Sequence, residues 1–208
     1  MTISYCTTNI NKFNEAKFIF GDAIEHKNID LTEIQSMDLS FVALNKAADA
    51  YDKIKSPLIV EDIGLFVKLL NNFPGPLVKW VGETMGYDKF AELFNGQLAI
   101  WKVCVVYTNG LTKILRESET EGIIVSPSRG KSWGFEHIFM PLLPRQPNQS
   151  VYGCGKTVAE LSEAGLKHEY SPRFRALEAL KASIDAHGAL KSSLAGSVFG
   201  PHSLKQSS

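Results

Sequence analysis

The sequence predicts an α/β fold. It opens as strand, polar turn and helix: Ile3-Ser4-Tyr5-Cys6, then Thr7-Thr8-Asn9, then Phe13, Ala16, Phe18, Phe20 and Ile24 on a roughly helical face. A second observation is the apolar run Pro57-Leu58-Ile59-Val60, a buried strand pattern that stops at two adjacent carboxylates, Glu61 and Asp62, followed by Gly64. The third is a pair of strand patterns, Leu98 to Tyr107 and Lys113 to Glu121, around Asn109-Gly110, a strong hairpin signal.

Taken in order, Thr7-Thr8-Asn9 suits a turn or helix cap before a helix running to Ile24. Lys12 falls in the first turn of that helix. A cation there opposes the macrodipole and makes sense if it serves an anion over the helix N-terminus. Ile29 to Leu39 alternates in part and predicts a second strand, and Phe41 to Ile54 predicts a helix carrying Lys46. The acid pair then stands at the end of the next strand. In α/β proteins ligands bind at the carboxyl ends of strands, and adjacent strand residues point to opposite sides. One acid is thus free to face a ligand while the protein holds the other. Phe73-Pro74-Gly75-Pro76 is a rigid turn. Leu77 to Val81 and Tyr87 to Phe94 predict short helices, and Glu121 to Val125 continues the hairpin sheet. Beyond the loop Pro127-Ser128-Arg129-Gly130 comes an aromatic cluster from Trp133 to Phe139. Pro141 to Gly155 reads as an irregular loop, and Lys156-Thr157 opens a short helix through Ser162. Ser171 as N-cap and Pro172 at the first position start a helix to Ala186. The organisation expected is one domain over residues 1–186 and a Ser-, Gly- and Ala-rich tail over 187–208, loosely packed.

Hydrophobic residues make up 44% of the 208, enough for a sizeable core. Lys plus Arg and Asp plus Glu both total 22, a balance that argues against a nucleic-acid polymer or an anionic membrane as partner. Cys6, Cys104 and Cys154 are an odd number with no C-x-x-C spacing, as for core thiols in a reducing compartment. The N-terminal stretch is too polar for a signal peptide, and no apolar run approaches the ~20 residues that span a bilayer. A soluble cytoplasmic protein is the expectation.

Five segments, in order, resemble the inosine triphosphate pyrophosphatase family, which hydrolyses non-standard purine nucleoside triphosphates to monophosphates. They are Thr7-Thr8-Asn9-Ile10-Asn11-Lys12, Val60-Glu61-Asp62-Ile63-Gly64-Leu65, Phe73-Pro74-Gly75-Pro76 with Lys79-Trp80, Trp133 to Phe139, and Ala159-Glu160-Leu161 with Lys167 and Ser171 to Leu177. The resemblance implies a long central mixed sheet with two lobes and a cleft, a homodimer, and Mg²⁺ as cofactor. It places Thr7, Thr8, Asn9, Lys12 and Lys46 on phosphate, and Asp62, Lys12 and Glu61 in catalysis, with Asp62 and Glu61 on the metal. Trp133, Phe135, Glu136, Lys167, Ser171 and Arg173 fall at the base and sugar. Alternatives are a nucleotide hydrolase acting on a monophosphate or a glycosidic bond, and a non-catalytic nucleotide-binding protein.

Four departures stand out. Thr8 replaces the family's glycine, Glu136 and His137 replace an Asp-Pro pair, and Pro172 replaces a histidine. The family's metal-binding glutamate after the second strand has no clear counterpart, because Asp38-Leu39-Ser40 runs straight into the next helix. Asp38 and Glu33 are the acids nearby.

Overall fold

The computed structural model describes residues 2–142 and 154–197, with side chains up to 188. Strand β1 (Ile3–Cys6) leads through Asn9, whose Oδ1 accepts from Asn11 N, into α1 (Ile10–Phe20). The helix stops short of Ile24. Gly21 turns with φ of 58°, a left-handed value that favours glycine, and Ile24 becomes the buried first residue of β2 (Ile24–Lys27). The second strand is therefore β2. The alternating stretch expected to form it, from Ile29 to Leu39, is irregular up to the helix cap at Asp38. Its period came from a loop that packs Ile29 and Leu31 on the core and turns Asp30, between them, outward.

Helix α2 (Leu39–Ile54) is capped by Asp38, whose carboxylate accepts from Phe41 N. Strand β3 (Leu58–Val67) does not end at the acid pair, as expected from its apolar run. Parallel pairing with β1 ceases at Ile59, but β5 (Leu98–Thr108) pairs antiparallel with all of β3 and carries it on. Glu61 and Asp62 thus emerge beyond the end of β1 while held in the sheet. Gly64 is required two residues on, where the short β4 (Pro74–Gly75) crosses. A Cβ there would lie 2.9 Å from the Gly75 carbonyl carbon.

Helices α3 (Val78–Thr84) and α4 (Tyr87–Phe94) follow. The hairpin of β5 and β6 (Lys113–Ile124) turns at Asn109, whose Oδ1 accepts from Leu111 N and Thr112 N. The strand β7 (Phe139–Pro141) pairs with β6 and ends the sheet. Among the described residues there is one seven-stranded sheet, ordered β2-β1-β3-β5-β6-β7 with β4 beside β3. It is a mixed sheet: β2, β1 and the start of β3 are parallel, and the rest antiparallel. Most of the loop expected from Pro141 to Gly155 lies outside the described residues. Helices α5 (Val158–Glu163), α6 (Lys167–Tyr170) and α7 (Pro172–Ser197) complete the chain. Helix α7 runs past the expected end at Ala186, through part of the expected tail. Ala, Leu and Lys are good helix formers, and Gly188 within the helix costs only about 1 kcal/mol. Residues 198–208 lie outside the description.

Core side chains alternate along β3. Ile59, Leu65 and Val67 pack with Phe13 and Ala16 of α1 and Leu177 and Leu180 of α7. Leu58, Val60 and Phe66 pack with Ala43 and Ala47 of α2. By the same period, Glu61 belongs to the α1 and α7 side and Asp62 to the α2 side.

Candidate functional site

A cavity of about 620 Å³ opens where β1 ends beside β3. Ten of the expected site residues line it: Thr7, Thr8, Asn9, Lys12, Lys46, Glu61, Asp62, Trp133, Phe135 and Glu136. The turn before α1 is built by side chain to backbone bonds, since Thr7 Oγ1 accepts from Asn9 N at 3.1 Å. Across it, His26 Nε2 lies 2.9 Å from Thr7 O. The exposed side of the turn, with Thr8, faces the cavity ahead of the α1 N-terminus.

On the α2 side, the buried Lys46 reaches two acids. Its Nζ lies 2.8 Å from Glu33 Oε1 and 3.7 Å from Asp62 Oδ2. Burial opposes the Lys46 charge, but Asp62 and Glu33 override it and hold its pKa above the usual lysine range. Burial likewise drives Asp62 above the ordinary aspartate value, against the pull of Lys46 and Lys12. Glu33 is also partly buried, yet Lys46, Lys79 and Lys12 together bring its pKa down. Glu33 and Lys79 both line the cavity, and neither was among the expected site residues. Of the two acids near the second strand, Glu33 is therefore the one in the cavity, while Asp38 is spent on capping α2.

Glu61 is placed differently from a metal ligand. Tyr5 Oη donates to its Oε2 at 2.5 Å, Arg173 Nε contacts both oxygens at 3.1 and 3.0 Å, and Lys12 Nζ lies 3.1 Å from Oε1. Burial alone would raise its pKa, but Arg173, Lys12 and Tyr5 lower it to about 2. Its carboxylate is occupied by protein donors, so the expected metal role does not fit it. Glu33 and Asp62 both line the cavity and share Lys46, and their hard oxygens suit Mg²⁺, which takes one or two carboxylates and keeps water and phosphate for the rest. Among the described residues no group of three or more His, Cys, Asp or Glu could enclose an ion.

The expected base-end residues divide. Trp133 is half-buried on the cavity wall, with Lys167 Nζ 5.2 Å and Arg173 Cζ 5.0 Å from its ring. Phe135 is buried edge-on against Trp101 and Phe139, so part of it is core. Glu136 accepts from Ser132 Oγ and Lys167 Nζ. Lys167, Ser171 and Arg173 do not line the cavity. Ser171 Oγ accepts from Arg173 N, the expected cap of α7. Lys167 and Arg173 are each tied to Glu15 of α1, at 2.5 and 2.8 Å. Arg173 Nη2 is buried without a hydrogen-bond partner among the described residues. Glu15 and Tyr5 were not expected in the site, because their role depends on partners far along the chain.

Comparison with known proteins adds the following. The model of the Ham1 family matches residues 3–183. Over 164 residues the chain is 37% identical to inosine triphosphate pyrophosphatase 2 of Trypanosoma cruzi, covering 76% of this chain and 79% of that one. It is 36% identical over 183 residues to the dITP/XTP pyrophosphatase of Saccharolobus solfataricus, covering 84% and 88%. Among solved structures, a HAM1 protein from Coxiella burnetii has the same fold, with a TM-score of 0.69 at 21% identity over 89% of this chain and all of that one.

Proposed function

Since the chain belongs to the Ham1 family, we propose that it hydrolyses non-standard purine nucleoside triphosphates, of inosine or xanthosine type, to the monophosphate and pyrophosphate. The observation that carries this reading is the cavity in which Lys12, Lys46 and Lys79 surround the Glu33 and Asp62 carboxylates at the α1 N-terminus. Three ammonium groups and the helix N-terminus hold the polyphosphate. Glu33 and Asp62 would hold Mg²⁺, which would supply positive charge to offset that developing on the phosphates. Water adds at the α-phosphorus and gives up its proton to solvent, the bond from that phosphorus to the α–β bridging oxygen breaks, and pyrophosphate leaves with that oxygen and its charge spread over the lysines. Glu61 keeps Lys12 at the cavity edge. Trp133, on the cavity wall, offers a stacking face for the base.

A homodimer and a cytoplasmic location belong to the same reading. Exposed Met37, Phe41 and Phe73, with Met37 beside Gly75, support a second copy covering that side. Cys6, Cys104 and Cys154 are free thiols, in keeping with a reducing compartment, and no described helix is long and apolar enough to cross a membrane. The function is tested by screening inosine, xanthosine and standard triphosphates with Mg²⁺ and identifying products by mass. Monophosphate plus pyrophosphate from inosine or xanthosine triphosphate is the expected result. Free base would mean glycosidic cleavage, and nucleotide-dependent thermal stabilisation without turnover would mean binding alone.

A further inference from the structure

We propose that Tyr5 is a positioning residue for Lys12, acting through Glu61. Tyr5 is fully buried on β1, and among the described residues its hydroxyl has one hydrogen-bond partner, Glu61 Oε2. The other oxygen, Oε1, faces Lys12 Nζ at 3.1 Å. Arg173 Nε bridges both oxygens and fixes the plane of the carboxylate. Two places for a further donor remain, one on each oxygen. Tyr5 fills the inner one, and Lys12 is confined to the outer one, on the cavity wall.

The hydroxyl is the part of Tyr5 that needs this explanation. Its ring packs 6.2 Å from that of Phe13 in the core, a position a phenylalanine fills equally well. A buried hydroxyl costs free energy unless it is bonded, and a hydrogen bond to a charged carboxylate is among the stronger kinds. Donation from Tyr5 draws negative charge off Glu61, so that Lys12 is held in place but not fully neutralised. Without it, Oε2 offers the ammonium a second, deeper site, and Lys12 slides along the carboxylate away from the cavity. The consequence falls on phosphate binding, and it rests on the triphosphate reading of the cavity.

A double-mutant cycle tests this, with Tyr5→Phe, Lys12→Ala and the double variant of the full chain. Two readouts are taken: calorimetric binding of inorganic tripolyphosphate, and KM and kcat for inosine triphosphate. Y5F weakens tripolyphosphate binding and raises KM about tenfold, with a smaller effect on kcat, as expected for a bond to a charged group. In the K12A background the same substitution changes either by less than about twofold, because the residue it acts through is gone. An equal loss in both backgrounds, or no loss in folded Y5F, overturns the proposal. If Y5F is destabilised, both readouts are taken below its unfolding transition, where the same outcomes decide. Tripolyphosphate binding reports on Tyr5 even if no nucleotide is turned over, so failure of the proposed function and failure of this inference are separate results.

Discussion

Glu33 and Asp62 meet at one ammonium group: Lys46 Nζ lies 2.8 Å from the first and 3.7 Å from the second. One acid comes from an irregular segment after β2 and the other from the middle of β3. Their meeting makes a face with two carboxylates, and a cation recruited there has both.

That face predicts an order of mutational effects. Glu33→Gln raises the Mg²⁺ concentration for half-maximal turnover by about 10–100-fold, the range for altering a group that supports a metal. The check is a Mg²⁺ titration at saturating substrate. Unchanged Mg²⁺ dependence would remove Glu33 from the metal site.

Lys79→Ala raises KM for inosine triphosphate about tenfold and leaves kcat within about threefold, since its charge contributes mainly to binding the phosphates. Lys79 is exposed, so the effect weakens as salt is raised from low to physiological strength. Steady-state kinetics at two ionic strengths measure it. A loss in kcat alone would contradict the assignment.

The hairpin was legible because Asn109-Gly110 specifies its turn locally, and the start of α7 because Ser171 and Pro172 carry the cap themselves. The turn before α1 was legible for the same reason, since Asn9 caps the helix itself. Glu33 was not, because Ile29 and Leu31 alternate as strand residues do while β1 takes Ile24–Lys27 as its partner. Pairing depends on competition between segments, which a local period does not record. The burden carried by Arg173 was also hidden. Its partners Glu15 and Glu61 lie on α1 and β3, and only the folded sheet brings them to α7. Continuation of β3 past the acids was missed because β5, a later strand, supplies it.

The Glu61 network predicts acid sensitivity in the metal-free protein. Its pKa falls from 4.5 to about 2 on folding. A depressed value contributes stability above pH 4.5, lost as pH drops from there towards 2, with a full contribution of about 3 kcal/mol. Asp62, whose pKa is raised, offsets part of this above its own titration. Glu61→Gln therefore lowers stability at pH 7 by about 3–5 kcal/mol, since Arg173 keeps its buried charge with one partner fewer. Urea unfolding at pH 7 and pH 3, with chelator, tests this. The gap between wild type and variant narrows at the lower pH, and a gap independent of pH would contradict it.

Trp133→Ala removes the aromatic face beside Lys167 and Arg173. Stacking on a base is worth about 1–3 kcal/mol, so kcat/KM for inosine triphosphate falls by about 5–150-fold. Binding of inorganic tripolyphosphate, which has no base, stays within about twofold. Equal losses for both ligands would show that Trp133 only supports the fold.

Pyrophosphate release from inosine triphosphate, measured with Mg²⁺ for the wild-type protein and Asp62→Asn side by side, tests the central claim most directly. Turnover by the wild type, lowered at least about 100-fold in the variant with its melting temperature little changed, is the result expected if Asp62 acts on the charge of the reacting phosphates. Equal turnover by both proteins, or none by folded wild type, would contradict it.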